Sequence, residues 1–255
     1  MKIPISHFSI LILALLFFGC NSSATQKQND TSPLTAQVIM QKAHERAGGS
    51  FWSKPKSLTM KGYGLFYENG KTNKNEVHNM WRVYESEKEN AHTANGKVRI
   101  ESFRDSKPVF IVTYDGENTY DLRGKQEKSE ADKRWASNFG YGVIRHAFDP
   151  GYTLEKLEDG EIKKESTYRI KVKDPDGGET IFDINQNNFN IVGVAFDTPR
   201  GWHERRYSQF FTKDQYSWLQ PGLVELFYKG EKANDIIWED FDVNQDLPDS
   251  LFVLN

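Results

Sequence analysis

Ser57-Leu58-Thr59-Met60-Lys61-Gly62-Tyr63-Gly64-Leu65-Phe66-Tyr67-Glu68-Asn69-Gly70-Lys71 is the stretch from which the fold can be read. Leu58, Met60, Gly62, Gly64 and Phe66 share one side of an alternating pattern. Successive side chains of a strand point to opposite faces, so a period of two marks a half-buried strand. Asn69-Gly70 tolerates the positive φ angles that a two-residue hairpin turn requires. The alternation resumes beyond it, with Val77, Asn79, Trp81 and Val83 on one side and His78, Met80, Arg82 and Tyr84 on the other. The pair reads as an antiparallel hairpin.

Downstream the same grammar repeats. Strands are expected at 97–103, 108–114, 118–123, 168–173, 179–185, 191–196, 203–211, 223–228 and 236–243. Asp115-Gly116, Pro175-Asp176-Gly177-Gly178 and Asn187-Asn188 break them at hairpin spacing. Such short connections suit antiparallel neighbours and leave no room for crossover helices. Two segments depart from the rhythm. Thr35–Ala47 places Val38, Ile39, Ala43 and Ala47 near helical spacing, and Gly48-Gly49 provides a stop. Asp132–Phe148 carries Trp135, Phe139, Val143, Ile144 and Ala147 roughly along one helix face, weakened by Gly140 and Gly142 and ended by Pro150-Gly151. The order is helix, five strands, helix and a second run of strands. It predicts a mostly β domain with some helix, built on a large curved antiparallel sheet.

Ahead of this body, Asn21–Pro33 is polar and reads as a flexible tether. Lys2 precedes the apolar run Ile10–Phe18, then Gly19-Cys20. A positive start, a short apolar core and a small residue before the cut form an export signal. Leu16-Phe17-Phe18-Gly19-Cys20 resembles a bacterial lipobox, in which the cysteine is acylated, palmitate being one such chain, and becomes the mature first residue. Residues 1–19 are then a lipoprotein signal peptide, 20–33 the tether and 34–255 one β domain. The competing reading is an ordinary signal peptide in which Cys20 stays unmodified. Acyl chains on Cys20 would anchor the protein to a membrane. Cys20 is the single cysteine, so no internal disulfide can form and stability rests on a core.

Composition narrows the function. The formal net charge is -3, and loss of Lys2 with the signal makes the mature chain slightly more acidic, which gives no support for nucleic-acid binding. Seventeen Phe, 11 Tyr and 6 Trp suit strands with one dry and one wet face. No pattern points to catalysis or a cofactor. His203-Glu204-Arg205-Arg206-Tyr207 lacks the second histidine of a zinc protease, and so does the segment from His44-Glu45. Gly140-Tyr141-Gly142 lacks the third glycine of a dinucleotide fingerprint. His44, His78, His92, His146 and His203 are scattered without ligand spacing, so no metal site is expected. Asp174, Asp176 and Glu179 fit a hairpin turn better than a calcium loop.

An export signal, a first helix ending in Gly-Gly, then Trp52 and a β-rich body resemble the outer-membrane lipoprotein-sorting family, which includes the carrier LolA and its anchored receptor LolB. Ile111-Val112-Thr113-Tyr114-Asp115-Gly116-Glu117-Asn118-Thr119-Tyr120 resembles that family's strand, Asp-Gly turn and strand. Residues 241–252 resemble the closing strand and short tail of related β proteins. The likeness covers nearly all of 34–255, although Asp-Gly hairpins are common. It implies an unclosed β-barrel around a hydrophobic cavity with a helical lid, holding acyl chains or other apolar ligands. The lid candidates are Thr35–Ala47 and Asp132–Phe148. The implied ligand-binding residues are Leu58, Met60, Phe66, Trp81, Phe110, Phe182 and Phe196 on strands, with Trp135, Phe139, Val143 and Ile144 on the lid. The implied ligand is a lipid or an acylated protein, and the implied location is the bacterial cell envelope, anchored in the outer membrane and facing the periplasm. A second reading keeps the fold but fills the core, leaving a structural or signalling lipoprotein that binds another protein. Composition does not separate the two, because cavity walls and cores use the same side chains.

Overall fold

In the computed structural model, Asn69 and Gly70 adopt φ of 49° and 72°. They join strand β1 (Ser57–Glu68) to β2 (Lys71–Val83) in register from Glu68 opposite Lys71 to Ser57 opposite Val83. The structure describes residues 33–84, 96–139 and 144–254. The signal, Cys20 and the tether up to residue 32 lie outside them.

The meander continues through β3 (Lys97–Arg104), β4 (Lys107–Tyr114), β5 (Thr119–Asp121) and β6 (Gly124–Lys125). After the helical segment come β7 (Thr153–Lys156), β8 (Gly160–Ile162), β9 (Glu165–Lys173), β10 (Glu179–Asn185), β11 (Ile191–Thr198), β12 (Gly201–Phe211), β13 (Gln220–Tyr228) and β14 (Glu231–Val243). All 14 strands form one antiparallel sheet in the order β6-β5-β4-β3-β2-β1-β14-β13-β12-β11-β10-β9-β7, with β8 paired to β9 off that path. Two meanders are therefore stitched together where the first long strand pairs the last. β6 and β7 stay at opposite edges, so the sheet is not closed.

A β-bulge shapes the seam between β1 and β14. Met60 faces Phe241 and Lys61 faces Asp240, but Gly62 faces Trp238. The extra residue, Glu239, resets the alternation. Ile236 and Trp238 point inward before it, and Phe241 and Val243 after it. Position 62 needs glycine, because a Cβ there would lie 1.8 Å from the Ile237 carbonyl oxygen.

Helix α1 (Ala36–Ala47) is capped by Thr35, whose hydroxyl accepts from the Val38 amide at 3.3 Å. Ala36, Ile39, Met40, Ala43 and Ala47 form its buried stripe, and it packs against β7 and β9. Burial of Ile39 and Met40 contributes about 1.5–3 kcal/mol each. The Gly48-Gly49 stop is only half realised. Gly48 caps α1, but Gly49 opens a further short helix, α2 (Gly49–Ser53), which buries Trp52. The second helical segment is also relocated. The sequence places one broken helix at Asp132–Phe148, whereas α3 spans Lys128–Phe139 and a 3-10 turn covers Ile144–His146. The first turn of α3 is polar, so apolar periodicity starts too late to reveal it. No sequence pattern marks β6, β7 and β8 either, since they are two to four residues long.

Candidate functional site

The concave face follows from strand pairing. Leu58 sits opposite Arg82, Met60 opposite Met80 and Gly62 opposite His78. Met80 then faces Ile100, and Ile100 faces Val112. On the other side of the seam, Val224 faces Tyr207 and Ile236, while Leu226 faces Arg205 and Asn234. All of these except Gly62 line a cavity of about 530 Å³ together with Phe66, Phe110, Phe182, Trp218 and Trp238. That volume lies within the range of about 300–1,000 Å³ usual for small-molecule sites.

Helices close over it. Trp135 of α3 is buried, and its indole donates to the Thr119 hydroxyl on β5 at 2.8 Å. Two residues on, the Ser137 carbonyl accepts from the Tyr228 hydroxyl on β13 at 3.3 Å. The sheet order separates β5 from β13 by five strands, so α3 bridges the concavity. Arg145 follows in the 3-10 turn. Its Nε donates to the Trp52 carbonyl at 3.0 Å, and its guanidinium lies 4.8 Å from the Trp52 ring, 5.3 Å from Tyr84 and 5.3 Å from Trp218. It joins the segment after α3 to α2.

The residues expected from sequence divide. Leu58, Met60, Phe66, Phe110 and Phe182 line the cavity. Trp81 does not, and its assignment is corrected. Met80 and Arg82 take the inward positions, so alternation turns Trp81 to the outer face, half-buried with the Arg99 guanidinium 6.0 Å from its ring. Phe196 is inward but lies outside the cavity wall, fully buried edge-on against His203 at 5.2 Å. Trp135 is buried beneath α3 without lining the cavity. Val143 lies outside the described residues, as do the side chains of Phe139 and Ile144.

Two histidines stand inside this apolar frame. His78 lines the cavity among Trp238, Phe110 and Phe66, with ring centres 5.3, 5.9 and 6.3 Å away. Its Nδ1 is buried without a hydrogen bond, and desolvation pushes its pKa down to about 4. His203 donates from Nδ1 to the Phe227 carbonyl at 2.8 Å and accepts at Nε2 from Arg205 at 3.0 Å, which fixes its tautomer. Burial, then the charges of Arg205 and Arg200, push it down to about 3.

Six arginines, Arg46, Arg82, Arg134, Arg145, Arg200 and Arg205, also line the cavity, and sequence reading missed them. Arg82 and Arg205 occupy inward positions of alternating strands. A charge at an inward strand position was the available signal. Among the described residues no group of His, Cys, Asp and Glu is arranged to hold a metal, and no carboxylate–nucleophile set faces the cavity. What the site offers chemically is an apolar wall with fixed cations.

The sequence matches no protein-family model and no curated protein. Solved structures share the fold. A LolA superfamily protein from Nitrosomonas europaea superposes with a TM-score of 0.54 at 15% identity, over 87% of this chain and 99% of that one. A DUF1329 family protein from Desulfovibrio piger gives 0.52 at 8% identity over 87% and 98%. A domain from Vibrio parahaemolyticus, named for outer-membrane lipoprotein sorting, gives 0.50 at 9% identity over 86% and 95%. The chain has a LolA-like fold.

Proposed function

We propose that this LolA-like half-barrel is a non-enzymatic lipoprotein of the bacterial envelope that holds a lipid or a lipoprotein acyl chain. The observation that carries the reading is the cavity of about 530 Å³ on the concave face, roofed by α3 and walled by Met60, Met80, Leu226 and Trp238. Protein interiors pack nearly as densely as organic crystals, so a merely filled core would not keep such a space. The lipobox-like segment ending at Cys20 supports an acylated anchor, and a tether of 20–33 would let the domain stand off the membrane. The similarity to a domain named for outer-membrane lipoprotein sorting favours the periplasmic face of the outer membrane.

Organic extraction of the purified mature protein, followed by mass spectrometry, tests this. The expected result is an acyl lipid recovered near one equivalent and exchangeable for added fatty acid. Recovery of no lipid, with no binding of long-chain lipids or acylated peptides, would transfer the assignment to an envelope lipoprotein that binds another protein.

A further inference from the structure

We infer that the cavity's lipid carries an uncharged oxygen, an ester carbonyl or a hydroxyl, which accepts a hydrogen bond from His78 within the apolar wall. This rests on the lipid-cavity reading and adds a chemical group to the ligand. His78 sits at an inward position of β2, in register with Gly62 of β1 and Ser102 of β3. It lines the cavity and is 7% exposed. Its Nδ1 is enclosed without a partner, and among the described residues no bond is made at Nε2. A neutral imidazole has one N–H and one lone pair to satisfy, and burying them unmet carries a desolvation penalty. Phenylalanine would fill the same place among Phe66, Phe110 and Trp238 without that penalty.

The polar side chains beside His78 are closed on one another. Asn75 donates to the Ser102 hydroxyl at 2.9 Å and accepts from Arg104 at 3.0 and 2.8 Å. Ser102 in turn donates to the Val77 carbonyl at 3.1 Å. This end of the sheet therefore satisfies its other buried polar groups from within and leaves His78 to the cavity. Nε2 is the ring corner reaching farthest from the backbone, so an inward side chain presents it to the ligand. An acceptor oxygen there places the proton on Nε2 and leaves only a lone pair enclosed at Nδ1. Burial is the cause that holds the His78 pKa down to about 4, with no neighbouring charge adding to it, so the ring is neutral at pH 7. A carboxylate lodged among these three aromatic rings would lose its hydration with no protonated imidazole to offset the loss. An ester carbonyl or a hydroxyl avoids that cost and still accepts the bond, whereas a plain hydrocarbon offers no acceptor.

Displacement of a fluorescent fatty-acid analogue from the mature protein at pH 7 tests this. The competitors are methyl oleate, oleyl alcohol and octadecene, each measured on the unaltered protein and on His78→Phe. Taking the ratio between the two proteins for each competitor cancels the different water solubilities of the three. His78→Phe should weaken methyl oleate or oleyl alcohol about fivefold relative to octadecene, as loss of one hydrogen bond does. The competitor with the larger loss distinguishes an ester from a hydroxyl as the source of the oxygen. His78→Gln keeps an N–H donor on its side chain and should retain most of the preference, with folding of both variants checked by circular dichroism. In the unaltered protein carrying isotope-labelled histidine, the favoured competitor should move the His78 ring-nitrogen resonances more than octadecene does. Equal weakening of all three competitors by His78→Phe, or ring resonances that move alike with all three, overturns the hydrogen bond while the cavity reading stands. Failure of the analogue itself to bind, with no ring response to any competitor, overturns both.

Discussion

His78 occupies an inward strand position among three aromatic rings, where an apolar side chain would ordinarily sit. Unfolded, its ring takes a proton near 6.5, whereas in the fold it does so only near 4. Between those values the unfolded chain binds more protons, so stability is fully present above pH 6.5 and falls as pH drops toward 4. His78 alone accounts for about 3 kcal/mol of that loss. His203, held to about 3, steepens it further. Denaturant melts at pH 7 and pH 4.5 should show the loss, and His78→Phe should reduce it by about 2 kcal/mol. Equal pH dependence in the two proteins would refute the assignment. At Cys20, mass spectrometry of the mature protein should find an acylated first residue, and Cys20→Ser should leave an unacylated precursor. A mature chain starting elsewhere would refute lipidation. Single residues were legible only in part. Alternation in Val77–Tyr84 yields two side-chain sets without saying which is inward, and a shift of one residue reverses them all. Choosing the wrong set puts Trp81 in the cavity and leaves out Arg82.

α3 holds two strands that the sheet order keeps far apart, and it does so through Trp135 at one side and Ser137 at the other. Trp135→Ala removes a buried indole and its bond to Thr119, so it should destabilise the protein by about 3 kcal/mol. Amide exchange should then rise in Lys128–Phe139 more than in β1 or β14. Unchanged exchange in α3 would show that the helix does not depend on this contact. Long strands were legible as elements because alternation over eight or more residues is hard to mistake, and β1, β3 and β12 lie close to their expected bounds. β6, β7 and β8 are too short to carry a period. α3 begins four residues before Asp132 because its first turn is polar and is stabilised by the Lys128–Asp132 pair at 2.7 Å, a feature without apolar signature.

At the scale of the molecule, the sheet's curvature and its open edges make one concave face, and the β1–β14 seam places residues remote in sequence on it. Hairpin spacing predicted the two meanders. The pairing of the first long strand with the last was not written in any local pattern, since it depends on the bulge at Gly62 and on burial across the whole sheet. The cavity itself was legible only through resemblance, because its wall and an ordinary core share one composition. Photocrosslinking with a diazirine-bearing fatty acid, mapped by peptide mass spectrometry, tests the central claim that this face holds an acyl chain. Saturable labelling, competed by unlabelled ligand and concentrated on peptides carrying Met60, Met80, Leu226 and Trp238, is the predicted result. Labelling that does not saturate, or that falls on the outer face at Trp81 and spares those side chains, would contradict it.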